Sequence, residues 1–323
     1  MRPITLPEIS YDATAVRPQW EDLPEPVREA ISARLDGPVT AVRSAGGGFT
    51  RAFAAVLTTA TTSAFVKAAP LADPTSQWYA REAALTAALP PEVTAARPRW
   101  TMSEAGWFVL CLDAIDGRVP ALPWSPADLQ ATLRTWSAAA TALAYPSPAL
   151  LSIGMPTLPE ILRSEMSWWS RIAKRREPMP ATARDTVAPR RLSELAKLER
   201  ALPALAAGDA MCHGDLRVDN VMIDTAGRAW LCDWTWPCLG APWFDTVTLL
   251  ISAWASGHDT DAVLRAWGAP DEGVDGALAA LSGYWLVRAA GPPSSASPHS
   301  RQHHLFSGAQ ALSWLTTRRG WPA

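Results

Sequence analysis

The chain has 323 residues, enough for about two domains of ordinary size with substantial cores. Its 29 lysine and arginine residues nearly balance 31 aspartate and glutamate residues, and the formal net charge is -2. Such a balance provides no overall field for nucleic acid or an anionic membrane, so we expect neither as a partner.

Neither a secretory signal nor a transmembrane helix is visible in the sequence. Residues 1–20 contain no apolar run of signal-peptide length, and no stretch reaches the roughly 20 apolar residues that span a bilayer. The four cysteines lack metal-ligand spacing, so we expect them to be reduced. The protein is therefore predicted to be cytoplasmic, and the sequence does not indicate its oligomeric state.

The first distinctive element is a glycine-rich hairpin. Residues 39–45 and 52–57 are predicted as its two strands, and Gly46, Gly47 and Gly48 lie in the turn between them. Glycines allow backbone amides to approach a phosphate group closely, because no side chain intervenes. An ordinary flexible hairpin has the same composition, so both interpretations are open at this point of the chain.

A lysine within an apolar strand is the next candidate. Residues 64–69 predict a short strand that contains Lys67, and a lone charge in such a run needs a partner or a solvent-exposed face. Residues 77–89 are rich in helix formers and predict the clearest helix of the first half. Glu82 lies in this helix as a candidate counter-ion for Lys67, and two unrelated surface charges are the alternative.

The chain changes character after its next strand. A continuous apolar strand is predicted at residues 107–112, and three prolines between residues 120 and 126 mark a break, after which the pattern becomes helical. His303 and His304 lack metal-like spacing and are expected at the surface. Helices are predicted at residues 21–35, 129–144, 158–176, 245–256, 261–267, 278–289 and 305–318.

Two segments of the helical half are strongly charged. Residues 163–200 hold ten lysines and arginines against five acidic residues, whereas residues 259–275 hold five acidic residues and one basic one. Solvated faces are the simplest interpretation of both. A peptide or anionic substrate on the basic segment, or a polycationic one on the acidic segment, is the functional alternative.

The most informative stretch is residues 211–233, MCHGDLRVDNVMIDTAGRAWLCD. Its pattern predicts a polar loop followed by a strand, a turn and a second strand. This hairpin would return Asp233 to the neighbourhood of Asp215 and Asn220. Two carboxylates and a carboxamide would then converge where the phosphates of a nucleotide and their magnesium ion can bind.

The motifs of this stretch carry a family resemblance. HGDLRVDN matches the H-x-D-x-x-x-x-N catalytic loop, and Asp233-Trp234 stands where protein kinases carry Asp-Phe-Gly. Gly240 and Asp245 follow in the order typical of the aminoglycoside phosphotransferase and choline kinase-like branch of the kinase superfamily. The segment therefore resembles that branch.

The resemblance implies an α+β, two-lobed protein kinase-like fold. Residues 1–113 would form an N-terminal lobe built on an antiparallel sheet, and residues 114–323 a mostly helical C-terminal lobe. The resemblance follows nearly the whole chain in order, but its specific motifs occupy mainly residues 46–118 and 211–245.

The resemblance also implies roles for individual residues. Asp215 corresponds to the catalytic base of the family. Asn220 and Asp233 correspond to its magnesium ligands. Lys67 corresponds to the lysine that binds the phosphates of the nucleotide, and Glu82 to the glutamate that holds this lysine in place.

Two further groups depart from the family pattern. Arg217 stands where protein kinases often have lysine, and its implied role is to contact the transferred phosphate. Gly46, Gly47 and Gly48 would cover the nucleotide, although three adjacent glycines differ from the spaced G-x-G-x-x-G form.

The remaining assignments concern the hinge and the support of the catalytic loop. Asp113 and Ile115 are assigned by register alone to the interlobe hinge where adenine binds. His213 is expected to be structural, and Asp245 to brace the loop from beneath. Asp219 is expected to be either a local helper or simply solvated.

The predicted function is a phosphotransferase that uses ATP or GTP with Mg²⁺ to phosphorylate a hydroxyl group of a small molecule. An antibiotic or another natural product is the expected acceptor, in resistance or in biosynthesis. A kinase of serine or threonine in a peptide natural-product precursor is the second possibility. A nonenzymatic pseudokinase is the third, and the presence of the full set of candidate residues argues against it.

Overall fold

The computed structural model describes residues 3–184, 187–292 and 296–321, and its first part is built on an antiparallel sheet. The strands of this sheet are Ala41–Ser44 (β1), Phe53–Thr58 (β2), Ser63–Pro70 (β3), Pro98–Glu104 (β4) and Trp107–Asp113 (β5). They are ordered β1-β2-β3-β5-β4, so β3 is the central strand. The register pairs Lys67 with Ala54 of β2 and with Leu110 of β5.

Alternation along β3 divides its side chains between two helices. Ala64, Val66 and Ala68 are fully buried in a cluster with helix α1 (Glu25–Arg34). Successive side chains of a strand point to opposite faces, so Lys67 lies on the face that packs against helix α2 (Thr75–Ala88). The lysine therefore faces the helix that carries its predicted partner.

The rest of the described chain is mainly helical, with short strands around the predicted catalytic stretch. The helices are Pro126–Ala142 (α3), Pro148–Ser152 (α4), Leu158–Ser164 (α5), Trp168–Ala173 (α6), Ala181–Arg184 (α7), Pro189–Leu205 (α8), Trp243–Ala255 (α9), Thr260–Ala266 (α10), Asp271–Ala290 (α11) and Ser300–Arg318 (α12). The strands are Gly117–Arg118 (β6), Ala210–Cys212 (β7), Val221–Asp224 (β8), Ala229–Leu231 (β9) and Cys238–Gly240 (β10).

One large apolar core holds the helical part together. Trp136, Trp169, Trp234 and Trp314 are almost completely buried in it. Each buried indole N–H needs an acceptor, and that of Trp169 donates to the Ala279 carbonyl oxygen at 2.8 Å. Burial of a large apolar side chain contributes roughly 1.5–3 kcal/mol, so these tryptophans are major contributors to stability.

The predicted hairpin of residues 211–233 is present. Strands β8 and β9 pair with each other, β6 pairs with β8, and β7 pairs with β10. The turn between β8 and β9 contains Gly227 at φ 77°, a conformation that glycine adopts without steric cost. The backbone N–H of Cys232 donates to the Asn220 carbonyl oxygen at 2.9 Å, which brings the two ends of the hairpin together.

The structure differs from the sequence-based predictions at several points. Strand β4 was not predicted, and the helix expected at residues 158–176 is two helices, α5 and α6. Helix α11 begins at Asp271, well before the expected start at residue 278. The prediction of a surface position for His303 is wrong, because its side chain is buried against Tyr11 and Phe49.

Within the described ranges, no helix combines the length and the apolar character that crossing a membrane would require. The four cysteines are free thiols, as expected, and three of them are buried.

Candidate active site

A buried carboxylate supports the catalytic loop from below. Asp245, in the first turn of α9, is 1% exposed and accepts hydrogen bonds from the backbone N–H groups of His213 (2.7 Å) and Gly214 (3.0 Å). Burial raises the pKa of the Asp245 carboxyl to about 7, against the lowering effect of these bonds. The expected bracing role of Asp245 agrees with this geometry.

His213 links the loop to the end of β9. Its side chain is fully buried, its Nε2 lies 2.9 Å from the Cys232 carbonyl oxygen, and its ring centroid lies 4.5 Å from that of Trp234. Burial lowers the pKa of His213 to about 4, so the ring is neutral near pH 7. A neutral, enclosed imidazole suits the structural role that was expected.

Asp215 is held by two partners on different oxygens. Its Oδ1 accepts from Arg217 Nη1 at 2.6 Å, and its Oδ2 accepts from Asn220 Nδ2 at 3.2 Å. Burial is the main cause that raises the pKa of Asp215 to about 7; Arg217 lowers it, and the nearby Asp219 and Asp233 raise it. A carboxylate with a pKa near the working pH is suited to accept a proton.

Arg217 forms a bridge between two carboxylates. Besides Asp215, it donates from Nε and Nη2 to the two oxygens of Asp219, at 3.1 and 2.9 Å. The Asp219 side chain is 0% exposed, so it is a local helper and the solvated alternative is wrong. Asp219 thereby fixes the arginine that holds the candidate base, and the contact of Arg217 with a transferred phosphate stays a prediction.

The predicted ion pair of the first part of the chain is present. Lys67 Nζ lies 2.8 and 2.7 Å from the two carboxylate oxygens of Glu82, whose side chain is 2% exposed. Burial alone would lower the pKa of Lys67, but the carboxylates of Glu82 and Asp233 outweigh it and raise that pKa. The Lys67 Nζ also lies 3.8 Å from Asp233 Oδ1, so the pair reaches the catalytic hairpin.

Asp233 is presented in an unusual backbone conformation. Its φ is 61°, in the left-handed region that non-glycine residues rarely adopt. Thr235 Oγ1 donates to its Oδ1 at 2.5 Å. Burial raises the pKa of Asp233, but Lys67 and Thr235 lower it by more, so this carboxyl is ionised at neutral pH.

Asn220 and Asp233 are the two predicted ligands of magnesium, and both carry oxygen donors of the kind that this ion prefers. The Asn220 Nδ2 donates to the Asp215 carbonyl oxygen at 2.8 Å, which leaves the amide oxygen for a cation. Magnesium is usually held by one or two protein oxygens with substrate phosphates and water completing the shell. The part of the chain that the structure describes contains no cluster of three acidic, histidine or cysteine residues suited to hold a metal by itself.

The two hinge candidates, Asp113 and Ile115, differ in the hydrogen bonds that they make. The Asp113 carboxylate accepts from Arg99 Nε at 2.8 Å, and its backbone N–H donates to the Arg97 carbonyl oxygen. The backbone N–H of Ile115, whose side chain is buried, donates to no acceptor among the described residues. Only Ile115 of the two therefore keeps a backbone donor for a nucleotide base, and its role stays a prediction.

Several residues near the site were not singled out from the sequence. The ring of Tyr79, one turn before Glu82 on α2, lies 5.3 Å from Lys67 Nζ, and its helical spacing from Glu82 was the available signal. Arg288 stacks on Tyr284 at 4.5 Å on α11. Burial raises the pKa of Tyr284, and the charges of Arg288 and Asp215 act on that pKa in opposite directions.

One protein-family model matches most of the chain. The model of a family described as "Phosphotransferase enzyme family" (APH) matches residues 41–281. A comparison with curated proteins finds no match.

Several solved structures have a similar fold. One is a thermostable mutant of aminoglycoside phosphotransferase APH(4)-Ia in a ternary complex with AMP-PNP and hygromycin B, with TM-score 0.59 and 13% identity over 93% of this chain and 99% of that one. The choline kinase LicA from Streptococcus pneumoniae has TM-score 0.56 and 15% identity over 90% of this chain and 98% of that one. A putative fructosamine-3-kinase from Haemophilus somnus 129PT has TM-score 0.55 and 10% identity over 90% and 96%.

Proposed function

Because the chain belongs to the phosphotransferase enzyme family, we propose that Asp215, Asn220, Asp233 and Lys67 transfer the γ-phosphoryl group of ATP or GTP to a hydroxyl group of a small molecule. The chain is a phosphotransferase that acts on hydroxyl groups, and its fold is the predicted α+β, protein kinase-like one. The observation that carries the proposal is the convergence of these side chains at one site, each with the partners that its role requires.

Asp215 would accept the proton of the acceptor hydroxyl. Its pKa of about 7 leaves a large ionised fraction at neutral pH, and Arg217 and Asn220 hold its two oxygens so that the carboxylate cannot rotate away. Fixed geometry matters because phosphoryl transfer depends mostly on positioning and on charge stabilisation.

Lys67 would bind phosphate oxygens of the nucleotide. Glu82 fixes the ammonium group, and the pKa of Lys67 is raised, so the group keeps its charge. Asn220 and Asp233 would hold Mg²⁺, which when bound neutralises the phosphate oxygens. The proposed nucleotide contacts on the side of the sheet are Gly46, Gly47, Gly48 and Ile115. Asp113 is proposed only to support this part of the site.

Charged side chains of the helical part bear on the choice of acceptor. Asp261, Asp271 and Asp275 of the acidic segment are all bound by Arg318 of the chain itself. Part of the negative charge of this segment is therefore compensated within the chain, which makes it a weaker surface for a polycationic acceptor. The stacked pair of Arg288 and Tyr284 instead favours a hydroxylated compound with an aromatic or acidic group.

The basic segment gives the second candidate function its support. A cavity of about 450 Å³ between α5, α6 and α8 is lined by basic side chains. An acidic stretch of a peptide substrate could bind there while a serine or threonine reaches Asp215. The basic residues of the lining are Arg163, Arg171, Lys174, Arg176 and Arg200.

The test is a nucleotide-dependent phosphorylation assay on a compound panel. It would contain cationic, neutral and acidic hydroxylated natural products together with acidic serine and threonine peptides, each with ATP and with GTP. Phosphorylation of an antibiotic would support a role in resistance, and that of an intermediate a role in biosynthesis. Mg²⁺-dependent nucleotide binding without transfer to any compound would favour the pseudokinase alternative.

A further inference from the structure

The glycine-rich loop is held by a segment that the sequence pattern did not single out. Residues 11–17, here called the strap, lie across the loop, and Arg17 binds three of its carbonyl oxygens at once. The guanidinium group donates from Nε to Ala45 (3.3 Å), from Nη2 to Gly47 (3.0 Å) and from Nη1 to Ala52 (2.9 Å). The planar fork of arginine suits such a set of acceptors, and a lysine cannot reproduce it.

The remaining carbonyl groups of the loop are bound in the same way. Each carbonyl oxygen from residue 45 to residue 49 accepts a hydrogen bond from outside the loop. Almost all of the donors belong to the strap. The other donors are the Ala15 N–H to Gly46 (2.8 Å), the Thr14 Oγ1 to Gly48 (3.3 Å) and the Ser297 N–H to Phe49 (2.7 Å).

The strap also explains two of the adjacent glycines. A methyl group at Gly46 would collide with the Asp12 carbonyl oxygen, and one at Gly47 would lie 2.8 Å from the Tyr11 carbonyl oxygen. The close contact with the strap therefore leaves no room for a side chain at either position. This requirement accounts for the departure from the spaced glycine pattern.

The amide groups of the loop are left for a ligand. The backbone N–H groups of residues 46–50 donate to no acceptor in the described part of the chain. With their carbonyl groups turned to the strap, these amides form a set of unpaired donors of the kind that binds phosphate. The loop lies beside the candidate site, since the Phe49 ring is 5.7 Å from the Arg217 guanidinium.

The strap fixes the loop to the helical part of the chain as well. Tyr11 Oη lies 2.8 Å from Nδ1 of the buried His303, and Ser297 Oγ donates to the Thr14 carbonyl oxygen at 2.6 Å. These contacts connect residues that are far apart in the sequence. Through the strap, they attach the loop to α12 and to the segment just before it.

We propose that the strap orients the glycine-rich loop for phosphate binding, with Arg17 as the positioning residue. The guanidinium draws the loop carbonyls to one side, and the amides of residues 46–50 then face the phosphates of the nucleotide. This inference rests on the proposed function, because it assigns a role in nucleotide binding to a segment outside the family motifs.

The test compares a nucleotide with its nucleoside by calorimetry in the presence of Mg²⁺. We expect Arg17→Met to raise the Kd of ADP or GDP by about tenfold or more, the effect of losing charge-assisted hydrogen bonds. The Kd of adenosine or guanosine should stay unchanged, because a nucleoside has no phosphate for the loop to bind. Arg43→Met, at an exposed arginine of β1, is the matched control and should change neither value.

A lysine variant separates positioning from charge. Arg17→Lys keeps the positive charge but loses the fork, so we expect most of the loss seen with methionine. Wild-type affinity in Arg17→Lys would overturn the inference, as would an equal loss of nucleoside affinity in Arg17→Met or no loss of nucleotide affinity. If Arg17→Met does not fold, Thr14→Val, which removes one donor from a buried site, should weaken nucleotide binding alone. Failure of the wild-type protein to bind any nucleotide would instead refute the proposed function.

Discussion

Asp215 combines three properties that a catalytic base needs: a raised pKa, two fixed oxygens and a position beside Asn220. We expect Asp215→Asn to lower kcat by at least about 10²-fold, because an amide cannot accept the proton. Nucleotide Kd should be unchanged. Asp116→Asn, at an exposed carboxylate without a described partner, is the matched control. Turnover of Asp215→Asn near that of the control would remove Asp215 from its role.

The pH dependence follows from the same carboxyl. Its pKa is raised to about 7, so it is mostly protonated, and inactive as a base, below that value. We expect kcat/KM to rise with pH through about 7 and to fall about tenfold per unit below about pH 6. Burial also raises the pKa of Asp245 to about 7, so this carboxyl titrates in the same pH range as Asp215. Near-ultraviolet circular dichroism at each pH is the control for this second titration, and it should show an unchanged fold. A flat profile from about pH 6 to 8 would contradict the assignment.

At the scale of single residues, the sequence predicted contacts that lie within recognisable motifs. The Lys67–Glu82 ion pair and the Asp245 brace were predicted because the motif spacing fixed both partners. The burial of His303 was missed because its partner Tyr11 lies at the other end of the chain, where no local pattern connects the two. Arg17 was missed for the same reason, because the loop carbonyl groups that it binds lie far from it in the sequence.

At the scale of elements, long-range hydrogen bonds explain where the predictions failed. Helix α6 begins where the buried Glu199 carboxylate accepts the backbone N–H groups of Trp169 (3.0 Å) and Ser170 (2.7 Å). Because Glu199 lies on α8, the local pattern of residues 158–176 could not indicate a break. Strand β4 was missed since its alternation is weak and only its pairing with β5 makes it a strand.

The C-terminal element carries a prediction of its own. Arg318 on α12 binds Asp261, Asp271 and Asp275, and its side chain is 13% exposed. We expect Arg318→Met to lower the free energy of unfolding by about 3 kcal/mol, the lower end for a broken buried ion pair, because Asp271 is largely exposed. Chemical denaturation measures this change. Arg265→Met, at an exposed arginine within the acidic segment, should have little effect, and equal stability of the two variants would contradict the structural role of the cluster.

The same cluster also bears on substrate binding. We expect Asp271→Asn combined with Glu272→Gln to leave the KM of the acceptor unchanged, because the acidic segment serves helix docking. Once an acceptor is identified, steady-state kinetics test this directly. A raised KM at constant kcat would restore the acidic segment as a surface for a cationic acceptor.

At the scale of the whole molecule, residues near the N-terminus connect the sheet to the helical part of the chain. The Thr5 N–H donates to the Ala255 carbonyl oxygen at 2.9 Å, and the strap bridges the glycine-rich loop and α12. Four of the five strands of the sheet and the catalytic hairpin were predictable because periodicity and motif spacing are local. The closure between them depends on pairs far apart in sequence and required the structure. The division into lobes at residue 113 stays a prediction.

The central claim is that Asn220 and Asp233 hold a divalent ion against the phosphates of a nucleotide beside Asp215. Its most direct test is a crystal structure with Mn²⁺ and a non-hydrolysable ATP or GTP analogue, in which anomalous scattering locates the metal. We predict a manganese peak bonded to Asn220 Oδ1, to the Asp233 carboxylate and to phosphate oxygens, with Lys67 on the phosphates. A nucleotide bound elsewhere, or a metal that contacts neither residue, would contradict the account.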